Sequence, residues 1–189
     1  MHAWIWQRAA PRYPWRNYWR NEVKLSGKEV RLDRDELLVD KTDLDGHLTY
    51  VNHAFTKITG YSEAECLGQR RGILDKNGMP QTVFELLWKT VGEGRDACAY
   101  LNATTKTGDH VWIIAHVMPN IQQGKIVGYH TIGRACNPAT IKGTILPLYN
   151  DLDRAERDGT KDTGALLNAM LADKGGSYEL FVSDLMEMD

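Results

Sequence analysis

The first part of the chain between residues 35 and 140 predicts two strands followed by two short helices. Apolar residues at 37–39 begin a strand that continues to residue 44, and Asp45-Gly46 is a strong signal for a two-residue hairpin turn. Residues 48–51 are predicted to be the returning strand. Asn52 is a suitable N-cap for a short helix that ends at Gly60, and residues 62–65 form the capping box of a second helix that ends at Gly68.

The second part of this region predicts one longer helix and three strands. Pro80 suits the first position of a helix, and apolar residues follow it at helical spacing. The resulting stripe consists of Val83, Phe84, Leu87, Trp88 and Val91. Strands are predicted at 97–105, 110–118 and 125–134, with turns between them. This order predicts an α+β fold, in which short helices and one longer helix cover one face of a five-stranded antiparallel sheet and enclose a pocket.

Charge distinguishes two flanking regions from this domain, so we divide the chain into residues 1–34, 35–140 and 141–189. Residues 1–34 are basic and contain four of the six tryptophans. Such an arm can contact a membrane surface, an acidic partner or nucleic acid, or it can cover the core of its own domain. From residue 151 onward the chain is acidic, with ten Asp or Glu residues and four Lys or Arg residues. We expect a short helix over 166–171 and an acidic amphipathic helix from Tyr178 onward.

The sequence contains no motif that indicates catalysis or a metal centre. Its six histidines are scattered, its three cysteines form no C-x-x-C pair, and no phosphate-binding, zinc-protease or hydrolase motif occurs. We therefore expect neither an enzyme nor a metalloprotein. The formal net charge of -2 argues against nucleic-acid binding by the whole chain. No apolar run approaches the roughly 18–20 residues that span a bilayer, and no secretory leader is evident. We expect a cytoplasmic protein without a transmembrane segment.

Several short stretches together resemble a known family of sensory domains. The stretches are 42–46, 49–52, Phe55, 59–62, Glu65, 67–68, 78–80, Phe84, Trp88, 108–112, Pro119, 128–129 and 147–149. Those before residue 70 resemble the opening half of a PAS domain. The later ones resemble the longer helix, the closing strands and the following segment of the aerotaxis receptors. The resemblance covers residues 35–150.

The resemblance implies a redox sensor that binds FAD non-covalently in the pocket between the sheet and the helices. Its partner would be a signalling protein such as a chemotaxis receptor or kinase, and we expect a homodimer. Trp88 and Trp112 are the predicted aromatic walls for a planar ligand, and Asn52 and Asn102 are predicted to hydrogen-bond its polar edge. The structural alternatives are a helix cap for Asn52, a solvent-facing strand position for Asn102, and core packing for the two tryptophans.

Three departures from the family pattern support a second hypothesis. Residues 75–78 stand where the family has a basic Arg-His-Pro-Asp stretch, Ala97 stands where it has a tryptophan, and Ala103 where it has an asparagine. All three belong to the flavin-binding residues of the family. The alternative is a cofactor-free PAS module that acts by protein contact through its N-terminal arm and its acidic tail.

Overall fold

A computed structural model describes residues 25–74 and 79–188. The strands are β1 (Leu38–Thr42), β2 (Leu48–Val51), β3 (Ala97–Thr104), β4 (His110–Gln122) and β5 (Lys125–Ala135). The helices are α1 (His53–Thr59), α2 (Glu63–Cys66), α3 (Gln81–Gly92), α4 (Pro138–Thr140), α5 (Leu146–Arg157), α6 (Thr163–Met170) and α7 (Tyr178–Met188). A 3-10 turn at Arg71–Leu74 precedes α3, and a π-helical turn at Ile141–Ile145 joins α4 to α5.

The five strands form one antiparallel sheet in the order β2-β1-β5-β4-β3. The chain therefore pairs its first hairpin with its last strand, which places β1 and β5 side by side in the middle of the sheet. Helices α1 and α2 pack near β1 and β2, and α3 packs on β3 and β4. This arrangement confirms the predicted α+β class and the five-stranded antiparallel sheet.

The strand registers separate an inner face of the sheet, toward α3, from an outer face. Trp88 of α3 contacts Tyr129 of β5, and Tyr129 pairs with Pro119 of β4, so both strand positions belong to the inner face. Trp112 lies seven positions before Pro119 along β4 (119 − 112), and no bulge interrupts the ladder between them. Because successive side chains alternate between faces, Trp112 and its cross-strand partner Asn102 lie on the outer face.

Local capping signals act in the structure as the sequence predicts. The side chain of Asn52 accepts a hydrogen bond from the backbone N–H of Phe55 and begins α1, which ends at Gly60 with a left-handed φ of 76°. Ser62 and Glu65 form a complete capping box at α2. A positive φ favours glycine, which has no Cβ to clash with the backbone. The ends of α1 and the start of α2 are therefore set by residues at those positions and not by distant contacts.

The C-terminal region contains more helix than the sequence analysis predicted. Residues 138–157, for which no element was predicted, form α4, the π-helical turn and α5. Proline at position 147 and the irregular turn before it obscured the helical period. Helices α6 and α7 extend over the two segments predicted to be helical. Buried side chains of this region join the core, among them Ile145, Leu152, Leu167 and Val182.

Several predictions concern residues outside the described part of the chain. Most of the basic aromatic arm, and the segment 75–78 that departs from the family pattern, are among them. The division into 1–34, 35–140 and 141–189 stays a prediction. Within the described residues, no helix combines the length and the apolar character that a membrane crossing requires.

Candidate ligand site between the sheet and helix α3

An aromatic pair lies between α3 and the inner face of the sheet. The rings of Trp88 and Tyr129 meet edge to face, with centroids 5.4 Å apart and planes at 70°. Trp88 is 7% exposed and belongs to the central core cluster, whereas Tyr129 is only partly buried. Edge-to-face aromatic pairs are favourable and give a site a fixed shape. The structure thus places Trp88, one of the two predicted aromatic walls, on the inner face, where its role toward a ligand stays a prediction.

A buried ion pair supplies charge on the same face of the sheet. The Nε of Arg71 donates to both carboxylate oxygens of Asp40, at 2.9 and 3.1 Å. The side chains are 9% and 3% exposed, respectively. Asp40 pairs with Thr131 in the same ladder that pairs Thr42 with Tyr129, two positions away, so its side chain is on the inner face. The sequence analysis missed both residues, although an acid at an inward position of β1 was a detectable signal.

Two threonines of the inner face add polar atoms beside this ion pair. Thr42 and Thr131 are 5% and 2% exposed. The hydroxyl oxygen of Thr42 is buried and has no hydrogen-bond partner among the described residues. A buried polar atom without a partner costs free energy, and a bound polar group would remove that cost. The inner face thus combines an aromatic wall, a guanidinium and an unsatisfied hydroxyl, which are the groups a planar ligand with a polar edge requires.

The side chain of Asn52 makes three hydrogen bonds to the backbone. Its Oδ1 accepts from the N–H groups of Phe55 at 2.9 Å and Val39 at 3.1 Å, and its Nδ2 donates to the carbonyl of Leu37 at 2.8 Å. These bonds tie the start of α1 to β1. The predicted ligand-binding residue therefore performs the structural role that the sequence analysis gave as its alternative.

Asn102 and Trp112 face away from Trp88, so the structure does not bring the four predicted residues into one site. Trp112 lies against Tyr149 of α5, with ring centroids 6.1 Å apart. It also lines a cavity of about 430 Å³ between residues 29–34 and the segment that follows β5. Asn102 is 7% exposed, which differs from the solvent-facing alternative, and its Oδ1 has no partner among the described residues.

One group of possible metal ligands occurs among the described residues, in the hairpin between β1 and β2. Ligand atoms of Asp43, Asp45 and His47 lie within 4.8 Å of one another. Asp43 already accepts hydrogen bonds from the backbone and the ring of His47. Asp45 is exposed, and Asp43 and His47 are partly exposed. Exposed acidic groups are common without a bound ion, so this group does not change the expectation that the protein binds no metal.

Comparisons with known proteins support a sensory assignment. The profile of the PAS domain family matches residues 35–134. The chain is 31% identical over 119 residues to the aerotaxis receptor of Escherichia coli (strain K12), which is 63% of this chain and 23% of the receptor. It is 30% identical over 60 residues to the nitrogen fixation regulatory protein of Klebsiella pneumoniae, or 32% of this chain and 12% of that protein. The chain thus spans less than a quarter of these relatives, which are a receptor and a regulator.

Solved structures share the fold at low sequence identity. The dark structure of the blue-light photoreceptor Aureochrome1 LOV superposes with a TM-score of 0.53 at 20% identity, covering 58% of this chain and 83% of that one. A light-oxygen-voltage domain, from a structure described as "Flavin Analogue Sheds Light on Light-Oxygen-Voltage Domain Mechanism", gives a TM-score of 0.52 at 19% identity, covering 61% of this chain and 87% of that one. At these identities the likeness establishes the fold alone. Fold, family profile and relatives agree: the chain belongs to the PAS domain family and, within it, is similar to the aerotaxis receptor.

Proposed function

We propose that this PAS domain is a redox or energy sensor that binds a flavin, FAD in the first instance, between the inner face of the sheet and α3. The observation that carries the proposal is the combination on one face of the Trp88–Tyr129 wall with the buried Asp40–Arg71 pair. The similarity to the aerotaxis receptor and the fold shared with light-oxygen-voltage domains support it.

The residues on the inner face have separate roles in this proposal. Trp88 and Tyr129 together form one aromatic wall against the flat part of the ligand. Arg71 donates hydrogen bonds to its polar edge, and Thr42 pairs its unsatisfied hydroxyl there. Asp40 holds the guanidinium in place through the two bonds to Nε. When bound, the flavin supplies the redox chemistry, and the protein side chains bind and orient it. The role is signalling to a partner protein, such as a chemotaxis receptor or kinase, rather than catalysis.

The test is the absorption spectrum of freshly purified protein, together with mass spectrometry of the molecule that denaturation releases. Flavin bands with released FAD are the expected result. Trp88→Phe should reduce the bound flavin per protein, since the smaller ring leaves part of the wall empty. Trp112→Phe is the matched control, because Trp112 is equally buried at 7% exposed but lies on the outer face. A colourless protein that takes up no added FAD would refute the proposal.

A second candidate function is the cofactor-free interaction module. The observation in its favour is that the inner face is already well packed, with Val83, Leu87 and Val91 of α3 all nearly or fully buried. Ala97 and Ala103, at positions where the family has larger flavin-binding residues, also favour it. Under this hypothesis the chain acts through its surfaces, as a homodimer or with a signalling partner. Sedimentation analysis of the full chain and of a variant lacking residues 1–24 tests whether the arm mediates self-association.

A further inference from the structure

The helix that lines the candidate ligand site receives its N-cap from a distant part of the chain. Pro80 occupies the N-cap position of α3 and makes no capping hydrogen bond through its side chain. The carboxylate of Glu156, near the end of α5, instead accepts from the backbone N–H groups of Gln81 and Thr82, both at 2.8 Å. The first N–H groups of a helix lack partners within the helix, and negative charge is favourable there. A residue of α5 therefore completes α3.

A hydroxyl network extends this contact to the next helix. The hydroxyl of Thr82 donates to the Glu156 carboxylate at 2.7 Å and lies 2.6 Å from the hydroxyl of Thr163, the first residue of α6. Thr82 is 4% exposed, so these bonds are shielded from water. Hydrogen bonds to a charged group contribute more than neutral ones. The start of α3 is thus bonded to both α5 and α6.

A second contact holds α5 and α7 to the open edge of the sheet. β3 is the last strand of the sheet. The hydroxyl of Tyr149, in α5, donates to the carbonyl of Tyr100 at 2.8 Å, and the N–H of Tyr100 donates to the hydroxyl of Tyr178, in α7, at 3.4 Å. The hydroxyls of Tyr149 and Tyr178 also bond to each other. All three tyrosines are buried, so α5 and α7 cover this part of the edge.

We propose that residues 146–188 form a clamp that transmits the position of α3 to the C-terminal end of the domain, with Glu156 as the positioning residue. Trp88 lies on α3, and a 12-residue helix transmits a displacement at one end to the other. A shift of α3 therefore alters the bonds between its first turn and Glu156, and with them the hold on α5 and α6. The clamp rests on the proposed function only for the cause of a shift of α3. The coupling itself depends on the hydrogen bonds that join α3 to α5 and α6.

Amide hydrogen exchange on the full chain without ligand tests the clamp in both directions. Glu156→Gln removes the negative charge and should speed exchange about tenfold or more in the first turn of α3. If residues 146–188 act as one unit, exchange in α7 should rise as well. Conversely, Tyr149→Phe, at the other contact, should speed exchange in the first turn of α3, because coupling between two sites is reciprocal.

The control is a substitution elsewhere on α5, and the refuting result is a change in exchange that stays beside the substituted residue. Asp153→Asn removes another carboxylate of α5, which bonds only to Arg157 on the same helix at 2.7 Å among the described contacts, and should leave α3 and α7 unchanged. The proposal is wrong if each variant alters exchange only beside its own substitution. Because no ligand is used, that result is independent of whether the domain binds a flavin.

Discussion

The buried ion pair between Asp40 and Arg71 gives the sharpest prediction about stability. Arg71→Met leaves the Asp40 carboxylate, in a side chain that is 3% exposed, without the guanidinium that donates two hydrogen bonds to it. Breaking a buried pair from one side typically costs about 3–5 kcal/mol, because the remaining charge is buried and uncompensated. Small domains have a free energy of unfolding of about 5–15 kcal/mol, so the loss is a large share of the total.

A double-mutant cycle separates the pair from other contacts of the two residues. Asp40→Asn alone should also destabilise the domain, since it removes the carboxylate that accepts both bonds from the Nε of Arg71. The double variant should cost about 2–3 kcal/mol less than the sum of the single variants, because it leaves no buried charge unpaired. Urea unfolding followed by circular dichroism measures each free energy, provided that the slope of the transition stays constant across the variants.

The control for this cycle is an ion pair at the surface. The Nζ of Lys57 lies 2.5 Å from the Oε1 of Glu36, and the lysine side chain is 58% exposed. Solvent screens such pairs, so Lys57→Met should cost far less than Arg71→Met. The reasoning is refuted if Arg71→Met is equally mild, or if the effects of the two buried substitutions simply add.

Three further predictions concern the helix cap, a close backbone contact and pH. Asn52→Ala removes three hydrogen bonds to the backbone and should cost about 1–3 kcal/mol, measured by thermal unfolding, with Asn52→Asp retaining much of the cap. Gly128→Ala would place a Cβ 2.2 Å from the carbonyl oxygen of Thr42, so that variant should unfold at lower urea concentration and a wild-type midpoint would contradict the contact. Burial raises the pKa of Tyr149 and Tyr178 above the ordinary value of 10.0. The folded state therefore holds protons that the unfolded state loses, and stability should fall as the pH rises above 10, with a slope that approaches about 1.4 kcal/mol per pH unit for each tyrosine. Tyr178→Phe should make that fall shallower in urea titrations at pH 10 to 11.

The sequence by itself determined the local elements and the family. Its caps, turns and periodicities are short-range signals, and Asn52, Gly60 and the Ser62–Glu65 box act within a few residues of their own position. The order of strands and helices from β1 to β5 follows from such signals, and so does the resemblance to PAS domains. Trp88 could be placed on a core helix because a stripe at helical spacing is a property of the chain alone.

Only the tertiary structure decided which of these residues meet. Trp88 and Trp112 are both buried and aromatic, but they lie on opposite faces of the sheet because strand register sets the face of each side chain. The bond between Asp40 and Arg71 joins positions 31 residues apart, and the bonds from Glu156 to α3 span 74 and 75 residues. No local pattern encodes such pairs, since they depend on which distant elements the fold brings together.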